Sequence, residues 1–427
     1  MADQQTASGA AAGAGAAPAR EAETRPPERE SLLLMIGLSA GHGVKHLCQG
    51  ALLIMLPSIK SALNLSDVAT GGIFTGMQIS SGVANAPAGI LTDMFRKHVA
   101  LMLTFSMICV ALAYFLIGIT QWYLLILLAV VILGTGTSLW HAPAFATLAA
   151  RYPERRGLAM SAHLTGAQAG DSSAPILIGF LLGGFTVASV SWAGLDWRTL
   201  SLLLTIPAGA TAVFVLLRFK SGALGAPPRV SLREYGQSTL RLVKNPGVLG
   251  MVSLHAIRGA THQSFRVFLV IYMSEVLGYS PFMVGFHVSL LTLAGVVSTP
   301  IMGSVSDRIG RKPVIVSEMA AISALILSII WLDSGWPLTV LLALLGVVLF
   351  SVQPIVTAAA MDVTERGSEG TSIAFMFAGG AVIGSLAPVI AGFINTRWEF
   401  EGVVIFAGLI AAVGAVVAAL LPIRKRD

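Results

Sequence analysis

The sequence has little charge and little cysteine. Asp, Glu, Lys and Arg make up 11% of the 427 residues, apolar residues make up 55%, and the mean hydropathy is +0.80. Soluble domains carry about 25% charged residues, so this composition excludes an ordinary soluble protein and predicts a chain that needs a lipid bilayer. The two cysteines, Cys48 and Cys109, fall inside apolar segments, which argues against a disulfide framework or a cysteine metal site.

The motifs of common catalytic sites are also missing. The sequence has no G-x-x-x-x-G-K-[ST] phosphate loop, so ATP-driven pumping by this chain is not expected. It has no nucleophile elbow and no zinc-protease helix. We therefore expect neither enzyme activity nor a cofactor.

Long apolar runs fill most of the chain. A helix needs about 20 apolar residues to cross the hydrocarbon core, and twelve such windows occur, separated by short polar breaks. Their approximate limits are 32–57, 68–92, 99–119, 122–148, 157–185, 198–217, 247–277, 282–303, 313–332, 336–360, 371–394 and 401–422. This pattern predicts an all-α membrane protein with twelve transmembrane helices.

The basic residues orient these predicted spans. Lys and Arg concentrate in cytoplasmic loops, and one set of loops is rich in them, whereas the opposite set holds only Lys60, Arg198 and Arg397. With an even number of spans, both termini are predicted to be cytoplasmic. The net charge of +6 then needs no nucleic acid to explain it. The lack of a cleavable signal and of long external loops favours a bacterial inner membrane.

The chain repeats itself at an offset of about 213 residues. Gly89 and Asp93 recur as Gly303 and Asp307. Repeats of this kind imply two pseudo-symmetric six-helix bundles with a substrate bound between them. The expected organisation is a disordered cytoplasmic tail at 1–30, a first bundle at 31–218, a cytoplasmic linker at 219–246, a second bundle at 247–422 and a cytoplasmic end at 423–427.

The clearest motif lies between the eighth and ninth predicted spans. It reads GSVSDRIGRK and contains Gly303, Asp307, Arg308, Gly310 and Arg311. Here the chain resembles the major facilitator superfamily, whose signature in this loop is G-x-x-x-D-R-x-G-R-K. The resemblance implies a two-bundle fold, a monomer, and a charge latch in which the aspartate pairs with nearby arginines.

The first half carries an incomplete version of this latch. Gly89 and Asp93 are kept, but Met94 replaces the arginine that follows the aspartate. We therefore expect the latch of the first half to be weaker or to pair differently.

The fifth span narrows the resemblance to bacterial efflux members of the superfamily, in particular to fosmidomycin-resistance-like proteins. It runs from Arg156 and Gly157 through Gly166 and Gly170 to Pro175. The glycines are similar to a motif associated with antiporters, although packing between helices explains them equally well.

Charged and polar residues inside two spans are the main candidates for a binding site. A charge within a span costs on the order of 2.5 to 3.5 kcal/mol, so such residues usually serve a function. At 3.6 residues per turn they share one face of each helix, with arcs of roughly 100 and 80 degrees. The candidates are His42, Lys45, His46 and Gln49 in the first span, His255, Arg258, His262 and Arg266 in the seventh, and the neighbouring His141.

In the superfamily the first and seventh spans face each other across a central cavity. The resemblance therefore implies that Lys45 and Arg258 lie on opposite walls. Two cations that face a desolvated space repel each other unless an anion lies between them, so an anionic substrate is the leading hypothesis. The alternative is that Lys45 or Arg266 extends to an interface or pairs permanently with Asp171.

Asp171 is the only acidic residue deep within the first six spans. It could exchange the coupled proton or act as the counter-ion that Lys45 releases, with His163 as a second proton-exchanging group. Alternatively, Ser172 and Ser173 cap its carboxylate.

Two further polar groups have simpler interpretations. The i, i+4 spacing of His42 and His46 suits a metal ion, but Lys45 would repel a cation, so no metal is expected. Glu318 in the ninth span is expected to pair with Arg311 or Lys312.

The leading interpretation is a secondary active transporter of a small organic anion, coupled to protons. One alternative is a proton-linked exporter of amphipathic drugs. The other is a membrane sensor built on a transporter fold, which usually needs a signalling domain that this sequence does not provide.

Overall fold

The computed structural model describes residues 28–187, 190–219, 244–362 and 369–422. Within them the first half forms α1 (Glu28–Ala62), α2 (Asp67–Met94), α3 (Val99–Ile119), α4 (Tyr123–Leu139), α5 (His141–Arg151), α6 (Arg156–Gly183) and α7 (Trp197–Arg218). A 3₁₀ turn, Arg96–His98, precedes α3, and a small hairpin of β1 (Phe185–Val187) and β2 (Val190–Trp192) follows α6. Together α4 and α5 form the predicted fourth span.

The second half begins with α8 (Pro246–Ile271), which continues into a π-helical turn, Tyr272–Val276. It continues through α9 (Pro281–Ile309), α10 (Arg311–Ser328), α11 (Gly335–Asp362), α12 (Glu369–Gly384) and α13 (Ala387–Leu420). The helical backbone of α13 is interrupted at Trp398 and Glu399. Thus α12 with the first part of α13 forms the predicted eleventh span, and the rest of α13 forms the twelfth.

Side-chain caps set the starts of several helices, and two of these caps occupy positions related by the repeat. Ser66 accepts a hydrogen bond from the backbone N–H of Ala69 at the start of α2, and Ser280 does the same for Met283 at the start of α9. Asn245 caps α8, whose first residue is Pro246. Serine and asparagine caps satisfy backbone donors that have no partner within the helix. The repeat in the sequence thus extends to local structure.

Helix packing repeats between the halves as well. In the first half α1 packs on α6, α3 on α7 and α2 on α4; in the second, α8 packs on α12 and α13, α10 on α13 and α9 on α11. The halves meet along α6 with α9, and along α2 with α12 and α13. The fold is therefore two related helical bundles that share one interface.

Glycine allows the two helix crossings of that interface to be tight. A Cβ atom at Gly285 of α9 would overlap the carbonyl oxygen of Pro175 of α6, and one at Gly392 of α13 would overlap that of Asp67 of α2. Only the absence of a side chain lets the backbones approach so closely.

Six helical segments in the described part of the chain are long and apolar enough to cross a membrane by length and composition alone. They are Arg96–Ile119, Tyr123–Arg151, Trp197–Arg218, Pro281–Ile309, Gly335–Asp362 and Ala378–Leu420. The helices α1, α6 and α8 carry the charged and polar candidates, which lower their hydropathy. The predicted tail up to residue 27, most of the linker (220–243) and the end at 423–427 lie outside the described residues.

Candidate functional site

The polar residues of α1 form a buried cluster with α5 and α6. Lys45 is 1% exposed, and its Nζ lies 2.8 Å from Nε2 of His141, as expected for an ammonium that donates to an unprotonated ring nitrogen. Nδ1 of His42 donates to the carbonyl oxygen of His163 at 3.0 Å, and the two rings stack with centroids 4.0 Å apart. The structure thus brings three first-half candidates, His42, His141 and His163, together with Lys45.

Asp171 of α6 lies at the edge of this cluster. Its Oδ2 is 3.0 Å from Nδ1 of His46, and its side chain remains 45% exposed. The carboxylate also lies within electrostatic reach of Lys45 in its own half and of Arg266 in the other half. The hydroxyl of Ser173 instead donates to the carbonyl of Ala169. His46 is therefore the direct partner of Asp171, and Ser173 does not cap it.

The polar face of α8 supplies the second group. His255, Arg258 and His262 are each 7% exposed, and Arg266 is half-buried. Arg258 and Arg266 are close enough to repel each other. The ring of Phe350 from α11 contacts both His262, with centroids 5.2 Å apart, and the guanidinium of Arg266 at 5.9 Å. Gly380 of α12 leaves room for the ring of His255.

Several nitrogen atoms in these two groups have no hydrogen-bond partner among the described residues. They include Nε of Arg258, Nε of Arg266, Nε2 of His42 and Nε2 of His262, all buried. Buried polar atoms normally have hydrogen-bond partners, and an arginine presents a fork of donors that suits a carboxylate or phosphate. Gln49 is half-buried on the same helix as Lys45.

Three histidines of the first half are close enough together to resemble a set of metal ligands. His42, His46 and His141 offer ring nitrogens that lie within 4.8 Å of one another. However, the ammonium of Lys45 lies against Nε2 of His141, and a fixed cation at that position opposes binding of a second cation. The donor set therefore fits a divalent metal poorly.

The latch residues form ion pairs within each half. In the second half Arg311 contacts Asp307 at 3.1 Å and Asp362, at the end of α11, at 2.6 Å. Arg308 is exposed, and Gly310 follows the end of α9 with a φ of 103°. A Cβ atom added at Gly303 would have no other atom within 4 Å. In the first half Asp93 contacts Arg96 at 3.2 Å, while Gly89 again has free space around it.

The expectation for Glu318 was wrong. Its side chain is 1% exposed and accepts a hydrogen bond of 2.5 Å from the hydroxyl of Ser351, while its second oxygen has no partner among the described residues. Arg311 pairs with aspartates, and Lys312 donates to the carbonyl oxygen of Leu421. The side chain of Glu318 is directed towards Ser351 of α11.

Sequence reasoning missed a polar cluster at the end opposite to the termini. Lys60 at the end of α1 contacts Asp67 of α2 at 2.8 Å and Glu275 of the second half at 2.6 Å. Asp67 also accepts a hydrogen bond from Asn395 of α13 at 2.9 Å. We call these four residues the outer lock. The signal in the sequence was Lys60 itself, one of few basic residues in the loops that were predicted to be external.

Comparison with known proteins extends these observations. The family model described as Major Facilitator Superfamily matches residues 38–254 and 251–427. The chain is similar to the fosmidomycin resistance protein of Escherichia coli, with 23% identity over 93% of this chain and 95% of that protein. It is also similar to the multidrug resistance protein MdtG of Enterobacter lignolyticus, with 23% identity over 84% of this chain and 83% of that protein.

The fold is shared with a solved bacterial homologue of the human lysosomal transporter Spinster in an inward-facing, unoccupied conformation. The TM-score is 0.78 at 13% identity, covering 92% of this chain and 97% of that one. At this identity the likeness concerns the fold alone.

Proposed function

The chain belongs to the Major Facilitator Superfamily, and we propose that it is a secondary active transporter of a small organic anion, carried by alternating access and coupled to protons. The anion is a carboxylate or a phosphonate- or phosphate-like compound. The observation that carries the proposal is the burial of Lys45 in one half and Arg258 in the other, at 1% and 7% exposure.

The balance of charge supports an anionic ligand. Lys45, Arg258 and Arg266 contribute three cations to the two polar groups, and Asp171 contributes one carboxylate. Buried charges are costly unless they are paired, and the unpartnered Nε atoms of both arginines add donors that an anion would satisfy. The proposed binding residues also include His42, His46, His141, His255, His262 and Gln49, as polar groups around these cations.

Asp171 is the residue we assign to proton coupling. It contacts His46, is partly exposed, and lies within electrostatic reach of cations from both halves. A proton on its carboxyl would remove the one negative charge of the cluster and so change how strongly Lys45 and Arg266 attract a substrate anion. His163, stacked on His42, is the second proton-exchanging group in the proposal.

The outer lock supports alternating access. It joins the two halves at the end that we assign to the outer side of a bacterial inner membrane, with both termini cytoplasmic. Closure at this end corresponds to an inward-facing state, the conformation in which the Spinster homologue was solved. The protein is proposed to work as a monomer.

The first test is a thermal-stability screen of the detergent-purified protein, because a compound that binds only the native state raises its apparent stability. The panel contains carboxylates, phosphonates including fosmidomycin, lipophilic cations and neutral drugs. We expect stabilisation by anions, lost in Arg258→Gln and kept in Arg218→Gln, a control that removes an exposed arginine at the end of α7. Stabilisation by lipophilic cations alone would contradict the proposal.

The second candidate function is proton-linked export of drugs. It is favoured by the name of the Enterobacter lignolyticus relative, which describes resistance to multiple drugs. In that case Phe350 and Phe145, whose rings contact the histidines and Arg266, would dominate binding. The two functions give opposite results in Arg258→Gln, because drug binding through aromatic rings would survive the loss of the cation.

A further inference from the structure

A serine of the second half enters the hydrogen-bond ladder of a helix of the first half. The hydroxyl of Ser289 in α9 donates to the carbonyl oxygen of Ser172 at 2.9 Å. The same hydroxyl accepts from the backbone N–H of Ile176 at 3.0 Å. In an uninterrupted helix this carbonyl and this N–H form one i to i+4 rung. A side chain from the other bundle therefore bridges a rung of α6.

The adjacent rung of α6 is missing for a covalent reason. Pro175 lies inside the helix and has no N–H, so the carbonyl of Asp171, four residues earlier, has no intrahelical partner. Of two consecutive rungs next to Asp171, one thus lacks its donor and the other is contacted by the hydroxyl of Ser289. Inserted side chains and prolines are the usual sites at which helices bend.

The bridge lies where the two bundles are pressed together. Ser289 is 8% exposed, and one turn earlier Gly285 meets the backbone of Pro175 with no room for a Cβ. A Cβ at Gly179 would likewise overlap the carbonyl oxygen of Pro281. Any movement that separates α6 from α9 must therefore withdraw the hydroxyl from this rung.

We infer that Ser289 is a positioning residue that couples the arrangement of the two bundles to the position of the Asp171 carboxylate. This inference rests on the proposed role of Asp171 in proton coupling. While the bundles are in contact, Ser289 bonds to both groups of this rung and so fixes the turn that carries Asp171 beside His46. When the bundles separate at this crossing, the Ser172 carbonyl and the Ile176 N–H lose this shared partner, the turn is no longer fixed, and Asp171 moves relative to its partners.

The charged groups that face Asp171 come from several helices. Lys45 and His46 approach it from α1, and Arg266 approaches from α8. His141 of α5 contacts Lys45. On α9 the nearest titratable group to Ser289 is His287, which bonds to the Met283 carbonyl and to Thr339 within its own half. A displacement of Asp171 would therefore alter its contacts with both bundles.

The test measures the arrangement of the bundles directly, without a transported substrate. Spin labels are attached to cysteines introduced by Trp122→Cys in the first half and Trp336→Cys in the second. The two tryptophans lie near the outer end, and their side chains are 76% and 78% exposed. Every labelled variant also carries Cys48→Ala and Cys109→Ala, so that the labels attach only at the two introduced cysteines. Distances between the labels are recorded in lipid nanodiscs over a range of pH, for Ser289→Ala, Ser289→Thr and Thr292→Val. Thr292 is the matched control, since its buried hydroxyl donates to the carbonyl of Val288 in its own helix.

We expect the ratio of closed to open outer ends to depend on pH in the parent protein. Loss of one buried hydrogen-bonding group typically changes such a ratio about three- to tenfold. Ser289→Ala should therefore change the ratio by that factor at a given pH and flatten its pH response, while Ser289→Thr and Thr292→Val keep the parent behaviour. In an Asp171→Asn background Ser289→Ala should leave the pH response unchanged.

The outcomes separate the two proposals. A parent protein that responds to pH, with a Ser289→Ala variant that responds identically, would overturn the role of Ser289 alone. A parent protein with no pH response, or one whose response survives Asp171→Asn, would overturn proton coupling through Asp171 and this inference with it. Unchanged melting temperatures of the variants exclude misfolding as the cause.

Discussion

Nζ of Lys60 lies 2.6 Å from Oε2 of Glu275 and so joins the end of the first helix to the second half of the chain. Glu275 belongs to the π-helical turn that follows α8, and such turns are frequent at functional sites. Lys60 also contacts Asp67, which is bonded to Asn395. One lysine thus connects four spans at the outer end.

Removal of this lysine should favour opening of the outer end. We expect Lys60→Gln to increase the open fraction about two- to fivefold, because partly exposed ion pairs each contribute on the order of 0.2 to 1 kcal/mol. The label pair at positions 122 and 336 measures it. Lys97→Gln, which removes an exposed lysine at the other end of the molecule, is the control. Equal open fractions in both variants would show that the outer lock does not stabilise closure.

The outer lock should be insensitive to pH near neutrality. Partial burial lowers the pKa of Lys60, but its bonds to Asp67 and Glu275 outweigh this effect and leave the pKa above the usual 10.5. The contribution of Lys60 to closure is therefore fully present below the ordinary lysine pKa and is lost as pH rises through the raised value. In an Asp171→Asn background the label distances should stay constant from neutral pH up to the usual lysine pKa. An opening near neutral pH would contradict this.

The sequence predicted the helices, and which polar residues share a helix face, better than it predicted the side-chain contacts between helices. Apolar windows and the offset of the repeat depend on composition and spacing, which one chain displays directly. They were enough to place Lys45 and Arg258 within spans. The bond between Lys45 and His141, and the insertion of Ser289 into α6, depend on how neighbouring helices rotate and slide against each other, and spacing along a single helix does not determine that.

Glu318 illustrates the same limit. Its closeness in sequence to Arg311 suggested an ion pair, and seven residues, about two turns, do place both on one face of α10. They are nevertheless separated by about 10 Å along the helix axis. In the structure its side chain points towards Ser351 of α11. Closeness along the chain did not decide the partners, because residues of neighbouring helices lie nearer: Ser351 to Glu318, and Asp307 and Asp362 to Arg311.

Glu318→Gln should preserve or raise stability. Glutamine keeps the size of the side chain and its bond with Ser351, and it removes the cost that a buried charge without a cation would carry. We expect a melting temperature in detergent equal to or above that of the parent, and a lower one for Ser351→Ala, which leaves both carboxyl oxygens without a partner. A marked loss of stability in Glu318→Gln would instead indicate an ion pair that the structure does not contain among its described residues.

A glycine at the tight crossing of α6 and α9 and a glycine with free space around it should respond differently to replacement by alanine. Gly285→Ala places a Cβ against the carbonyl oxygen of Pro175, so it should destabilise the closed state by about 1 to 3 kcal/mol. Gly303→Ala has open space and should be tolerated in this conformation. Thermal unfolding and the label distances at positions 122 and 336 measure both effects. Similar behaviour of the two variants would contradict the tight crossing of α6 and α9.

The central claim is that an organic anion binds between Lys45 and Arg258. Its most direct test is uptake into proteoliposomes, under an imposed pH gradient, of the radiolabelled anion that most stabilises the protein. Lys45→Gln and Arg258→Gln are compared with Lys97→Gln and Arg218→Gln, which remove the same charges from exposed positions. We predict loss of uptake in the first pair, by at least about tenfold, and full uptake in the second. Undiminished uptake by Lys45→Gln and Arg258→Gln would contradict the claim.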